Sequence, residues 1–249
     1  MKTNLIFAIV LSMAISISWA QRPAADELKA KKGSITLQPV SHGSVVLKWD
    51  GKTIYVDPYG GGKLFEGLGA PDLILITDIH QDHMNVETLK AIETSKSVIV
   101  APQAVIDQLP PPFKEKCVVL ANGNTITQLG IPISAIPMYN IPEDAESRHT
   151  RGRGNGYILD LGGQKVYFSG DTEDIPEMRA LKNIDVAFVC MNLPFTMDVN
   201  QAASAVLAFK PKIVYPYHYR GQDTEAFKKL VNAGDTKIDV RLRNWYPAN

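Results

Sequence analysis

The sequence predicts an α/β fold in which two β-sheets pack back to back with helices on their outer faces, an αββα four-layer sandwich. Three observations carry that expectation. The chain opens with short β-rich runs separated by turn residues. It then changes to continuous apolar runs alternating with helical segments, the pattern of strands buried on both faces. The second half repeats the succession, a hairpin and then strand–helix units, with no repeat at a fixed period.

Residues 1–20 stand apart from that pattern. Lys2 gives a positive start, Leu5–Ile17 is apolar, and Ser18-Trp19-Ala20 closes the segment with small residues at its end and two positions before it. This order reads as a signal peptide cleaved near Ala20. The apolar run is shorter than the roughly 20 residues that span a bilayer, so the expectation is export, periplasmic or secreted, without a stable membrane anchor. Residues 21–33 are polar and read as a frayed lead-in or short helix, and 34–249 as one domain.

Ser34–Val40, Ser44–Trp49 and Thr53–Val56 read as an antiparallel meander turned at His42-Gly43 and Asp50-Gly51, the latter a strong hairpin signal. Leu73–Ile76 and Ser97–Val100 read as buried strands. Asn85 caps an expected helix to Ser95, with Val86, Leu89 and Ile92 on one face. A short helix over Pro102–Leu109 is expected to stop at Pro110-Pro111-Pro112. Strands follow at Cys117–Leu120, Thr125–Leu129 and Ile133–Met138. Residues 140–156 have no period and are long for a loop, which marks them as a candidate functional segment. Tyr157–Leu161 and Lys165–Ser169 form a second hairpin turned by Gly162-Gly163. Asp185–Val189, Ile213–Tyr215 and Ile238–Leu242 read as strands, and Val199–Phe209 and Asp223–Asn232 as helices.

Basic and acidic residues balance at 26 each, and loss of Lys2 leaves a net charge of −1. That excludes the basic footprint of a nucleic-acid binder. Two cysteines, Cys117 and Cys190, do not make a disulfide scaffold. Cys190 ends the apolar run DVAFVC and reads as a core residue; whether the two pair is open, as is oligomeric state.

The chemistry concentrates in TDIHQDHM. Asp78, His80, Asp82 and His83 lie within six residues between a buried strand and a capped helix. Side chains converge on ligands at such strand ends, and imidazole with carboxylate is a metal-binding set. Ser169-Gly170-Asp171-Thr172 and Tyr215-Pro216-Tyr217-His218 follow two further apolar strands and present Asp171 and His218 in the same way.

The order TDIHQDHM, SGDT, PYHY resembles the metallo-β-lactamase fold superfamily, and within it the branch of ascorbate-6-phosphate lactonase and N-acylphosphatidylethanolamine phospholipase D relatives. SHGSVVLKWDGKTIYVDPY, GNGYILDLGGQKVYFSGDT and FTMDVNQAA extend the likeness from about Ile35 to the C-terminus. The resemblance implies two metal sites bridged by Asp171. One takes Asp82, His83 and His218. The other takes His80, with Asp78 where the family has a histidine, and a further ligand for which Asn140 and His149 are the candidates. It implies Zn²⁺, one or two ions, with Mn²⁺ or Fe²⁺ equally suited to the oxygen-richer His80 site. It also implies that His42 and Asp57 brace the site rather than ligate.

The activity implied is hydrolysis of a phosphodiester, lactone or amide in a small-molecule substrate by metal-bound hydroxide, with Asp82 also positioning the nucleophile. Arg148, Arg151 and Arg153 are candidates to receive an anionic substrate group. The competing expectation, resting on Asp78 and Asn140, is a metal- or ligand-binding protein without catalysis.

Overall fold

Side chains that alternate between two environments make strands, and the opening runs do so. The computed structural model describes residues 22–246; the expected signal peptide lies outside the described residues. Strands β1 (Asp26–Lys29), β2 (Ser34–Ser41), β3 (Ser44–Trp49) and β4 (Lys52–Val56) form an antiparallel meander. Strands β5 (Leu73–Leu75), β6 (Val98–Ala101) and β7 (Cys117–Val119) extend the same sheet in parallel. Helices α1 (Val86–Ala91), α2 (Gln103–Gln108) and α3 (Pro111–Lys114) connect them.

The second sheet repeats the plan. Strands β8 (Thr125–Gln128), β9 (Ile131–Met138), β10 (Gly154–Leu161) and β11 (Gln164–Phe168) are antiparallel. Strands β12 (Val186–Cys190), β13 (Ile213–Tyr217) and β14 (Asp239–Val240) continue in parallel. Helix α4 (Pro176–Arg179) follows β11, and helices α5 (Val199–Phe209) and α6 (Thr224–Gly234) flank β13.

Period-2 geometry separates the two faces of the first sheet. Leu47, Ile54, Leu73 and Leu75 join Ile133, Tyr157 and Leu159 of the second sheet in the core between sheets. Their neighbours Val46, Tyr55, Ile74 and Ile99 turn the other way and pack with Leu89, Val105, Ile106 and Phe113 beneath the helices. The two sheets are also tied by polar groups: Tyr157 Oη donates to the Ile76 carbonyl at 2.8 Å, and the Asn155 amide to the Thr77 carbonyl at 2.9 Å.

Three details differ from expectation. The lead-in is neither frayed nor helical there: Asp26–Lys29 pairs with Ser34–Leu37 as an edge strand, where one neighbour suffices to order a polar segment. The proline run starts a helix as well as ending one, because Pro110 caps α3 and Pro111 stands at its first turn, where the missing N–H costs nothing. Helix α1 is shorter than expected and ends at Ala91, although Asn85 caps it as foreseen, accepting from the Thr88 amide. Both cysteines are free, Cys117 in the first sheet and Cys190 buried in the second. No helix among the described residues is long and apolar enough to cross a membrane.

Helix α5 starts with a reciprocal capping box: Asp198 accepts from the Gln201 amide at 2.7 Å, and the Gln201 side chain accepts from the Asp198 amide at 2.9 Å. Replacing Asp198 with Ala is expected to cost about 1 kcal/mol of stability, read as a lower urea midpoint at unchanged slope.

Candidate metal centre

Parallel strands from both sheets end on one side of the sandwich, and their polar ends meet there. After β4 the chain turns at Asp57, whose φ of 43° is left-handed. The fully buried Asp57 carboxylate accepts from the Thr77 amide (2.8 Å), Thr77 Oγ1 (2.6 Å) and His83 Nδ1 (2.8 Å). His83 thus gives Nδ1–H to Asp57 and turns Nε2 inward. After β13, His218, with φ 48°, stacks on His83 at 5.0 Å, and the Asn192 amide lies 3.2 Å from its Nδ1. Gly43 lies beneath both rings; a Cβ there would come within 3.2 Å of the His218 ring.

Asp171 follows the tight turn at Gly170, where a Cβ would meet Met138 Sδ at 2.6 Å. Asp171 Oδ2 is 3.3 Å from His83 Nε2 and 3.3 Å from His149 Nε2, and Oδ1 is 3.6 Å from His218 Nε2. Asp171 therefore stands between two clusters. On one side are His83 and His218, with Asp82 Oδ2 3.4 Å from His218 Nε2. On the other are Asp78, His80 and His149, with Asp78 Oδ2 2.6 Å from His80 Nδ1 and 3.8 Å from His149 Nε2.

These residues fit a cation. His83 Nε2, His218 Nε2, both His149 nitrogens, His80 Nδ1 and Asp171 Oδ1 are buried and without a hydrogen-bond partner. The close approach of His80 to Asp78 is not aligned as a hydrogen bond. An unsatisfied buried polar atom costs about 1–3 kcal/mol, so this many around Asp171 imply something they bind. Candidate ligand atoms fall into three groups, each within 4.8 Å: Asp78–His80–His149, His83–Asp171–His218 and His42–Asp82–His218. Mixed nitrogen and oxygen donors suit zinc, iron or manganese.

The field at the centre favours positive charge. Burial alone would raise the Asp171 carboxyl, but the His218 and His83 imidazoles hold it well below the usual range. Burial opposes ionisation of Asp82 too, and the His218 and His42 rings override it. Burial would lower His83, yet Asp171 and Asp57 raise it well above its ordinary value. His42 is pushed down to about 4 by burial, despite its bond to Asp82.

The 140–156 loop sorts its candidates. His149 is fully buried in the centre. Asn140 is not a ligand candidate in this geometry: its amide donates to Glu173 Oε1 and the Phe195 carbonyl, and its Oδ1 accepts from the His149 backbone. It holds His149 in place instead. Arg153 is turned away from a substrate role, because its Nε and Nη2 pair with Asp78 at 3.3 and 3.2 Å. Arg151 is engaged with Glu143, Glu177 and Tyr139. Arg148 is exposed, lies over the Phe195 ring at 4.4 Å, and has no carboxylate partner among the described residues. Asp57 accepts from His83 Nδ1, and His42 Nε2 lies 3.0 Å from Asp82 Oδ2. Asn192 and Tyr246 were not singled out in the sequence; Asn192, directly beyond the apolar run of β12, carried the same strand-end signal as Asp171.

Residues 36–218 match the family described as beta-lactamase superfamily domain. A UPF0173 metal-dependent hydrolase of Pyrococcus abyssi is 31% identical over 207 residues, covering 77% of this chain and 89% of its own. A Parabacteroides distasonis structure described as a metal-dependent hydrolase is 40% identical with a TM-score of 0.80, covering 89% of this chain and 98% of its own. The metallo-β-lactamase fold protein YhfI of Bacillus subtilis, 13% identical, shares the fold with a TM-score of 0.66 over 81% of this chain and 89% of its own. With histidines and carboxylates gathered as a metal requires and the family match running across most of the chain, the protein belongs to the metallo-β-lactamase superfamily and is one of its metal-dependent hydrolases.

Proposed function

We propose that the protein hydrolyses an ester-type bond, a phosphodiester, lactone or amide, in a small anionic substrate, using two divalent cations that share Asp171. The observation that carries this reading is the position of Asp171, with unpartnered imidazole nitrogens of His83 and His218 on one side and of His149 on the other. His83, His218 and Asp82 would hold one ion and Asp78, His80 and His149 the other. Zinc is the assignment for the first; the extra carboxylate of the second suits manganese or iron as well.

A bound cation acidifies water and stabilises negative charge developing on the substrate oxygen. The chain's own groups arrange the rest. Asp82 is partly exposed and its Oδ1 carries no hydrogen bond among the described residues, so it can accept an O–H of the attacking water. Its part is to orient that water. Arg148, exposed and unpaired beside His149, supplies the charge for an anionic substituent. The opening segment supports export, so that the enzyme works outside the cytoplasm.

The test is a metal count on chelator-free protein, with anomalous scattering at the zinc and manganese edges and turnover on bis(4-nitrophenyl) phosphate, a lactone and an anilide. Two ions on either side of Asp171, and turnover that a chelator abolishes and added metal restores, are expected. An absence of ions among these residues overturns the reading, and activity on one ester class selects the bond.

A further inference from the structure

The ligand candidates are not equally supported. His83 is braced by Asp57 and Thr77, and Asp78 by Arg153. Asp82 stands in a loop, and its side chain takes one hydrogen bond among the described residues, from His42 Nε2 at 3.0 Å. His42 itself is fixed from several directions. It occupies the turn between β2 and β3 at φ 55°, a left-handed conformation that costs a non-glycine residue on the order of 1 kcal/mol. Its backbone N–H donates to the Trp245 carbonyl at 3.0 Å, and its carbonyl accepts from the His218 amide at 3.1 Å. Its Nδ1 is 2.6 Å from Tyr246 Oη, and that oxygen accepts the Arg220 amide at 3.1 Å. The order is therefore Arg220 amide, Tyr246 hydroxyl, His42 ring, Asp82 carboxylate. With Tyr246 donating to Nδ1, the proton of the neutral imidazole sits on Nε2 and faces Asp82.

We propose that His42, oriented by Tyr246, is a positioning residue that holds Asp82 Oδ2 for the metal centre. The inference rests on Asp82 belonging to that centre. His42 has both ring nitrogens hydrogen-bonded and so acts through Asp82. A strained turn position that asparagine or glycine would fill more easily carries a histidine because the side chain must reach 40 residues along the chain to a carboxylate with no other support.

The test titrates metal-free protein with Zn²⁺ by calorimetry and with Co²⁺ by visible absorption, which reports the ligand set. His42→Asn tolerates the left-handed turn but is too short to reach Asp82. It is expected to weaken the tighter ion by roughly 10- to 100-fold, the usual consequence of losing such a partner, in protein that still unfolds in urea in one cooperative transition. His42→Gln carries an N–H to the place of Nε2 and restores most of the affinity with the wild-type cobalt spectrum. Tyr246→Phe gives an intermediate loss and serves as the test if His42→Asn does not fold. Wild-type affinity in both His42→Asn and Tyr246→Phe overturns the proposal. A His42→Gln protein as weak as His42→Asn, with a cobalt spectrum that has lost an imidazole, makes His42 a ligand and also overturns it. Failure of the wild-type protein to bind either ion sinks the reading of the centre itself.

Discussion

Replacing Asp171 with Ala is expected to remove both ions from the protein at once. Its two oxygens are approached by three imidazole nitrogens, from His83, His149 and His218, at 3.3 to 3.6 Å. Those histidines come from three different loops, and among the described residues Asp171 is the carboxylate they share. Losing a group that only braces a ligand typically costs 10- to 100-fold in affinity or activity; losing the shared group costs more, so turnover should fall by at least about 100-fold. Elemental analysis after gel filtration should drop from two ions per chain to none. Asp78→Ala is the comparison. It touches the His80–His149 side alone, so one ion should remain. If Asp171→Ala retains both ions, the shared-carboxylate geometry is wrong.

The second large effect falls on Asp57, which touches no expected ion. Its carboxylate is fully buried and takes three side-chain or backbone donors from Thr77 and His83. Asp57→Ala strands all of them, and removing one partner of a buried charged network costs about 3–5 kcal/mol. Urea denaturation of the metal-free protein measures that loss. Asp57→Asn separates the two roles of the group. The amide keeps the shape and can still accept from Thr77. It cannot accept from His83 Nδ1 with the nitrogen of its side chain, so the imidazole proton moves to Nε2 and removes the lone pair aimed at Asp171. The Asn variant should therefore keep more stability than the Ala variant and yet bind the His83 ion roughly 10- to 100-fold more weakly. Equal metal affinity in Asp57→Asn and wild type would show that the tautomer is not set here.

The same distinction explains what the sequence made legible. Strand ends that carry His or Asp are local features: TDIHQDH after β5, SGD after β11 and YH at the end of β13 each present candidate ligands beside an apolar run. The two-sheet plan was readable for the same reason, since apolar runs and hairpin turns are short-range signals. Which loop residue faces the centre was not decidable from the sequence. Asn140 stands where the chain leaves β9, but its amide is consumed by Glu173, Phe195 and the backbone of His149. That return of the loop upon itself delivers His149 instead, and no local pattern encodes it. Arg153 shows the converse: a loop arginine reads as open to solvent, yet a partner 75 residues earlier claims it. The edge strand Asp26–Lys29 is polar and obtains its structure from β2 alone. Pairings such as His42 with Tyr246 join distant residues and leave no periodic trace.

That last pairing also orders events in time. His42 and Tyr246 are 204 positions apart, and the His42 amide is held by Trp245. A ribosome that has released everything through Asp171 has produced most of the candidate ligands but not His218 or the residues that hold His42. The His83–Asp171–His218 cluster is therefore complete only after the loop following β13 has been made, and His42 is fixed only after Trp245 and Tyr246 have been.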